Sequence, residues 1–422
     1  MYKQKTLKNG LRLILSPLKE TQAVTVLVLV GVGSRHEEKQ INGISHFIEH
    51  MMFKGTNKRP TSLDITKELD SVGASFNAFT SKDHTGYYIK ISSDKVELAF
   101  DLLSDMLFYS KYNEVEINKE KGVIIEEINM YEDNPLMSID HFIENTIYGD
   151  NSLGWLISGS REVIKSINQE KILKYINEYY QPANMIVTVA GNFNVSKVQT
   201  LTKKYFLEQV KSSKAKDYKK IKLNQDKQKI QIKYKKTEQV MLALGFLGYS
   251  FFHKNYYAQT LLAVILGGNM SSRLFTEIRE KRGLAYFVRA DAHAFKDTGS
   301  FIVMAGLDKT RINPAIALIL QELKKIKNDG VTAKELKSAK EFIKGKLILE
   351  LEDSESIADW YGKQELLTGK MLTPEQKLKK VMAVKLSDIQ KVAKDIFKQN
   401  KINLALIGPY KDKKSFEKLL KI

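Results

Sequence analysis

The segment Asn42-Gly-Ile-Ser-His46-Phe-Ile-Glu49-His50-Met-Met-Phe-Lys-Gly55 decides how this sequence is interpreted. His46 and His50 are four residues apart, so on a helix both imidazoles lie on one face and can reach one cation. Glu49 lies beside the same stripe. Asn42 could cap the start of the helix, and Gly55 lies where a left-handed residue could end it. The segment therefore predicts a short helix that carries two metal ligands and a carboxylate.

This predicted helix is apolar around most of its circumference. Ile44, Phe47, Ile48 and Met51 form one face at helical spacing. The opposite side carries the histidines, the glutamate and Phe53, and we expect protein to cover it as well. Buried polar groups need partners, and a metal ion would supply one. The alternative is a chance match in which these side chains pack as ordinary polar residues.

Two histidines do not complete a catalytic zinc site, which needs three protein ligands and an open position. Glu120 and Glu127 are seven residues apart in a helical pattern, so two turns place them on nearly one stripe. Glu126 points about 100° away from that stripe. Spacing alone leaves open the alternative that Glu120 and Glu127 belong to a solvated acidic face.

Composition limits the kind of protein that this can be. A chain of 422 residues exceeds what one core usually supports, which predicts two domains. Cysteine is absent, so the available metal ligands are histidine and carboxylate. The apolar run from Ala23 to Gly33 is too short to span a bilayer, and the first ten residues lack the apolar core of a signal peptide. We therefore expect a soluble, cytoplasmic protein that does not associate with membranes.

The formal net charge of +18 raises the possibility of nucleic-acid binding. The lysines, however, are spread along the chain, and no known nucleic-acid module is present. The densest basic stretch, Lys211 to Lys236, has few large apolar residues before Ile230 and is typical of a solvated linker. We expect no specific nucleic-acid partner.

The chain contains one structural unit twice. An Asn9-Gly10 hairpin signal and a strand at Val24 open the first half, and a strand at Val240 resembles the Val24 strand. The ends of the halves match at a displacement of about 217 residues, because Ile167, Ile172, Tyr180 and Gly191 recur as Val384, Ile389, Phe397 and Gly408.

This repeat predicts two homologous domains, 1–212 and 230–422, joined by a basic linker at 213–229. The second copy has an apolar helix at Tyr257 in place of the His-x-x-Glu-His segment. The repeat therefore duplicates the fold without duplicating the candidate metal site.

These motifs resemble the pitrilysin-type (M16) zinc peptidases, inverted zincins whose His-x-x-Glu-His signature precedes a further glutamate. The sequences of Gly43–Thr56 and of Glu126–Asp133 are close to those of the family, and the resemblance covers essentially the whole chain. It implies one zinc ion per chain. It also implies the following roles: His46, His50 and Glu127 as metal ligands, Glu49 as general base, and Glu120 as an accessory glutamate that orients a ligand or aids metal binding.

Further residues match the family outside the metal ligands. Asn77 and Ala78 match the edge strand onto which a peptide substrate pairs, main chain to main chain. Arg279 and Tyr286 match a segment of the second domain that holds the substrate backbone and the developing oxyanion. Without the resemblance, Asn77 is better explained as a hairpin residue and Arg279 as a surface cation on a helix.

The resemblance implies an α+β fold with two homologous domains, each a mainly antiparallel sheet with helices on one face, closing as a clamshell. The implied function is a zinc-dependent endopeptidase that hydrolyses peptides or unfolded segments inside an enclosed chamber. Family members of this length associate in pairs, and some pair a zinc subunit with a metal-free subunit that carries the Arg/Tyr segment. Because this chain carries both the zinc ligands and the Arg/Tyr segment, the resemblance implies a homodimer. The alternatives are a partner or structural subunit of a heteromeric M16-type complex and a basic binding protein with a structural metal.

Overall fold

Two mixed β-sheets carry the fold in this computed structural model, which describes residues 2–207, 216–221 and 223–422. The strands are β1 Lys3–Thr6, β2 Arg12–Pro17, β3 Ala23–Val30, β4 Ser75–Thr80, β5 Thr85–Ser92, β6 Met185–Gly191, β7 Lys229–Tyr234, β8 Gln239–Gly248, β9 Ala285–Ala294, β10 Gly299–Asp308 and β11 Asn403–Gly408.

The helices flank these sheets. They are α1 Ile44–Met51, α2 Ser62–Asp70, α3 Val96–Tyr109, α4 Glu114–Asp133, α5 Pro135–Tyr148, α6 Arg161–Ser166, α7 Gln169–Tyr179, α8 Val195–Thr202, α9 Tyr256–Gly267, α10 Ile312–Asp329, α11 Ala333–Glu350, α12 Ser354–Thr368, α13 Pro374–Met382, α14 Leu386–Ile396 and α15 Lys414–Glu417. Two π-helical segments occur at Lys203–Leu207 and Phe275–Glu280. No helix in the described ranges is both long enough and apolar enough to span a bilayer.

The chain divides into two units, each built around one sheet. Unit 1 comprises Met1–Ile128, Leu156–Lys219 and Leu347–Thr373, and unit 2 comprises Asn129–Trp155, Lys220–Lys346 and Pro374–Ile422. The units are therefore not the two continuous halves that the repeat predicts, because each half contributes one segment to the other unit. The predicted domain end at residue 212 lies outside the described residues, and the functional division into domains stays a prediction.

The sheet of unit 1 has the order β1-β2-β6-β3-β5-β4, with β2 and β6 parallel and all other pairs antiparallel. Alternate residues of β3 point to opposite faces, as strand geometry requires. Val24, Val26 and Val28 pack with α1, α3, α7 and α8. Leu27 and Leu29 pack on the other face against α12.

Unit 2 repeats this arrangement with the strand order β7-β11-β8-β10-β9, in which β7 and β11 are the parallel pair. Leu242 and Leu244 of β8 pack with α9, α10 and α14, while Met241 and Ala243 pack against α5. The α+β prediction with two similar, mainly antiparallel sheets is confirmed. The prediction of helices on one face only is incomplete. Helix α12 covers the second face of the unit 1 sheet, and α5 covers the second face of the unit 2 sheet.

The N-terminal hairpin forms as predicted, but its loop is longer than the Asn-Gly signal suggests. Thr6 pairs with Arg12, and the Leu7 amide donates to the Leu11 carbonyl, so five residues connect β1 and β2. Gly10 has a φ of 86°, which glycine adopts at little cost.

The contact between α12 and the unit 1 sheet can be tested at Gly362. A Cβ atom there would lie 2.9 Å from both Leu29 Cδ1 and Thr188 Oγ1, whereas one at Gly122 of α4 would meet nothing within 4 Å. We expect Gly362→Val to lower the free energy of unfolding by about 1–3 kcal/mol through overpacking. Gly122→Val should change it by less than about 0.5 kcal/mol. Urea denaturation midpoints measure both, and equal midpoints would contradict the close contact.

Candidate metal centre

Helix α1 has one face in the core of unit 1 and the other turned toward α4. Ile44, Phe47, Ile48 and Met51 are at most 1% exposed, as the apolar pattern predicts. The opposite face carries His46, which is 9% exposed, together with Glu49 and His50, which are partly buried. The packing of the apolar face therefore fixes the direction of the polar face.

Three side chains converge between α1 and α4. The Nε2 atoms of His46 and His50 each lie 3.6 Å from Oε2 of Glu127, and one donor atom from each of the three residues falls within 4.8 Å of the others. A zinc ion about 2.1 Å from tetrahedral donors separates them by about 3.4 Å. The three residues therefore fit a zinc ion, and they are the ligands that the resemblance implies.

Glu120 orients His50 from the side away from the other donors. Nδ1 of His50 lies 2.8 Å from Oε1 of Glu120, and the Lys54 ammonium lies 2.6 Å from Oε2. Burial alone would raise the pKa of Glu120, but the contacts with His50 and Lys54 lower it below the usual value. An ionised Glu120 only accepts hydrogen bonds, so His50 Nδ1 carries a proton and Nε2 is the nitrogen that a metal would bind. Burial would lower the pKa of His50, but the hydrogen bond to Glu120 and the neighbouring carboxylates raise it above its usual value, so a bound cation would take the place of a proton on Nε2.

The charge states of the other two ligands also suit a cation. Burial and the neighbouring His50 lower the pKa of His46 to about 3, so His46 is neutral. Burial raises the pKa of Glu127 above its usual value, and Glu127 accepts no hydrogen bond from the described residues. A divalent cation would offset the cost of burying this carboxylate.

Glu49 is held beside the three ligands by the end of β4. The Thr80 hydroxyl donates to Oε2 of Glu49 at 2.5 Å. Burial raises the pKa of Glu49, and the Thr80 hydrogen bond opposes this effect. Glu49 is thus a carboxylate of raised basicity next to the three ligands, which is the environment of a general base.

Asn77 and Ala78 lie on β4, which is the edge strand of the unit 1 sheet. They pair with Tyr88 and Tyr87 of β5 on the inner side. The side-chain oxygen of Asn77 accepts a hydrogen bond of 2.9 Å from the Ala78 amide. A peptide that used this amide would have to displace the Asn77 side chain.

Arg279 and Tyr286 lie together in unit 2. The Arg279 guanidinium is 5.5 Å from the centre of the Tyr286 ring and 5.0 Å from that of Phe275. Tyr286 is 73% exposed on β9. This proximity is compatible with joint contact to one ligand, and the roles of both residues stay predictions.

One expectation about α1 is wrong. Asn42 does not cap the helix, because the N-cap is Gly43, with a φ of 100° and no side-chain cap. The Asn42 amide group instead donates to Glu37 at 2.8 Å, and Glu37 accepts from the amides of Gly43 and Ser45. Sequence reasoning missed Glu37 because it lies outside the motif.

Thr80 and Lys54 were also missed. Lys54 follows His50 by four residues, so helical spacing could have placed it near the acidic stripe of α4. No local signal in the sequence identifies Thr80, whose contact with Glu49 spans 31 residues.

Comparison with known proteins identifies the group to which this arrangement belongs. The model of the insulinase family (peptidase family M16) matches residues 12–160, and that of the peptidase M16 inactive domain matches residues 166–343. An uncharacterized zinc protease of Bacillus subtilis, YmxG, is 38% identical over 409 residues, covering 97% of this chain and 98% of the relative. An uncharacterized zinc protease of Streptomyces coelicolor is 34% identical over 418 residues, covering 97% and 90%.

A solved structure is similar over the same extent. The crystal structure of a protease from Helicobacter pylori superposes with a TM-score of 0.89 at 29% identity, covering 96% of this chain and 99% of that one. Sequence and fold thus agree over nearly the full length of the chain.

Zinc content tests the assignment of Glu127 as a ligand. We expect Glu127→Gln to lose stoichiometric zinc, because a neutral amide replaces the anionic ligand. Glu126→Gln is the matched control, since this exposed neighbour points elsewhere on α4 and should keep its zinc. Atomic absorption after gel filtration measures both variants. Equal zinc content in the two would contradict the assignment.

Proposed function

Because this chain belongs to peptidase family M16, we propose that it is a zinc-dependent endopeptidase with one zinc ion per chain. The observation that carries the proposal is the convergence of His46, His50 and Glu127 within 4.8 Å, with Glu49 beside them. Three ligands of this kind match a catalytic zinc site, whereas structural sites usually have four. This composition speaks against a structural metal in a basic binding protein.

When bound, zinc supplies a Lewis acid that polarises a peptide carbonyl and activates water. Glu49 accepts the proton of the attacking water and passes it to the leaving amine nitrogen. Its raised pKa favours both transfers. Thr80 holds the Glu49 carboxylate in place, and Glu120 keeps His50 in the tautomer that leaves Nε2 free.

The edge strand β4 would bind the substrate main chain by β-addition. Recognition through main-chain groups accepts many sequences, which suits peptides and unfolded segments. Thr80 ends the same strand, so a peptide along β4 passes close to Glu49. We assign Arg279 and Tyr286 to holding the substrate backbone and stabilising the oxyanion.

The alternative is a partner or structural subunit of a heteromeric complex. The observation that favours it is the match of residues 166–343 to the family model of the peptidase M16 inactive domain. The set of ligands and base in unit 1 favours an active enzyme, because a purely structural subunit does not require Glu49 beside three zinc ligands. We further infer an enclosed chamber formed by a homodimer, because the resemblance implies that chains of this length pair and this chain carries both sets of predicted site residues itself.

The role of Glu49 is tested by Glu49→Gln. The amide keeps the size of the side chain but cannot take a proton, so we expect kcat/KM for a quenched peptide to fall by about 10²–10⁴. Zinc content should stay at the wild-type level, because Glu49 is not a ligand. Chelation of the wild type should abolish cleavage, and added zinc should restore it. Full turnover in Glu49→Gln would rule out Glu49 as the base.

The homodimer is tested by size-exclusion chromatography with light scattering on the intact chain. We expect twice the mass of one chain at micromolar concentration. A monomer with full peptidase activity would overturn the dimer while leaving the proposed chemistry intact.

A further inference from the structure

Glu37 is a buried carboxylate that lies at the N-terminal end of α1, the helix that carries His46 and His50. It is 5% exposed, and the 3₁₀ helix Lys39–Ile41 lies between it and α1. Its Oε2 atom accepts hydrogen bonds from the Gly43 amide at 2.7 Å and the Asn42 side chain at 2.8 Å, and its Oε1 atom accepts from the Ser45 amide at 2.9 Å. Both oxygens are therefore occupied by donors at the start of α1.

The first amides of a helix lack intrahelical partners, and a side chain usually satisfies one of them. The N-cap of α1 is Gly43, which has no side chain to do this. A Cβ at this residue would lie 2.7 Å from the Ser158 carbonyl oxygen, so a larger capping residue does not fit. Glu37 thus supplies from outside the helix the cap that Gly43 cannot provide.

The same carboxylate joins α1 to the surrounding protein. Asn42 donates to Glu37 and also to the Leu156 carbonyl at 3.0 Å. Ser45, whose amide is bound by Glu37, shares a hydrogen bond of 2.9 Å with the Tyr175 hydroxyl of α7. The first turn of α1 is therefore fixed at several points, and His46 lies within this turn.

A buried carboxylate is an unfavourable choice of helix cap, because its charge must be removed from water. Burial raises the pKa of Glu37 to about 7 even though several hydrogen bonds lower it. A serine or asparagine could satisfy one amide at lower cost, but only a carboxylate accepts from three donors with two oxygens. The arrangement is therefore explained better by precise placement of α1 than by stability alone.

We propose that Glu37 is a positioning residue that holds the first turn of α1 so that His46 and His50 meet Glu127 at the metal site. The inference rests on the proposed function, because it assumes that these residues bind zinc. Glu37 acts through the helix and does not itself contact the substrate or the metal.

Zinc affinity of the full chain provides the test, measured at one pH by competition with a chromophoric chelator. We expect Glu37→Gln and Glu37→Ala to bind zinc about 10–100-fold more weakly, as loss of supporting groups around metal ligands typically does. The absorption spectrum of the cobalt-substituted protein should change as well, because the ligand geometry is altered.

Asp353→Ala is the matched control. Asp353 caps α12 in the same unit by accepting from the amides of Glu355 and Ser356, and it is remote in sequence from the ligands. We expect this variant to lower the melting temperature while zinc affinity stays within about 2-fold of the wild type. An equal loss of affinity in Asp353→Ala would overturn the proposal, because the effect would then reflect stability alone.

Asn42→Ala covers the case in which the Glu37 variants do not fold. It removes one donor to Glu37 and the link to Leu156, so we expect a smaller loss of zinc affinity in the same direction. Wild-type affinity in Asn42→Ala, or in a folded Glu37→Gln, would overturn the positioning role. A wild-type chain that binds no zinc at all would instead overturn the proposed function.

Discussion

The constraint on which this site depends is the burial of negative charge next to two histidines. Glu49, Glu120 and Glu127 lie around His46 and His50, with Lys54 as the cation paired to Glu120. Burial raises the pKa of both Glu49 and Glu127, which shows that these carboxylates lack sufficient compensation from the protein. A divalent cation would provide it. The groups whose burial is unfavourable on their own are therefore the groups that suit a metal ion. The cores on both sides of the unit 1 sheet supply the stability that such a site requires.

The parts of the site that could be predicted from sequence are those that one helix fixes locally. His46, Glu49 and His50 share a side of α1 because of helical spacing alone, and Glu120 and Glu127 share a stripe of α4 for the same reason. That the side chains of α1 and α4 come together was predicted only from the resemblance to the family, since spacing within each helix does not determine which helices face each other. The structure adds the distances that join the two helices.

The remaining features depend on contacts between distant parts of the chain. Thr80 reaches Glu49 because β4 ends beside α1, and Glu37 reaches Gly43 because the loop before α1 folds back, and neither contact has a periodic signal. The helix on the second face of the unit 1 sheet, α12, did have a signal in the sequence. Strand β3 is apolar at nearly every position and buried at every residue after Ala23, which is typical of a strand covered on both faces. That pattern could have predicted α12 on the second face, although not that the helix comes from the other half of the chain.

The comparison of α1 with α9 explains why duplication of the fold did not duplicate the chemistry. Both helices pack on their own sheet, but α9 has an apolar residue at almost every position, and Leu261, Leu262 and Leu266 are fully buried. Polar ligands introduced there would lie in a packed core without the acidic helix that α4 provides in unit 1. The repeated fold can therefore pack a helix at this position with or without metal ligands. Unit 2 is free to present different side chains on its own edge strand, β9, where Tyr286 is exposed beside Arg279.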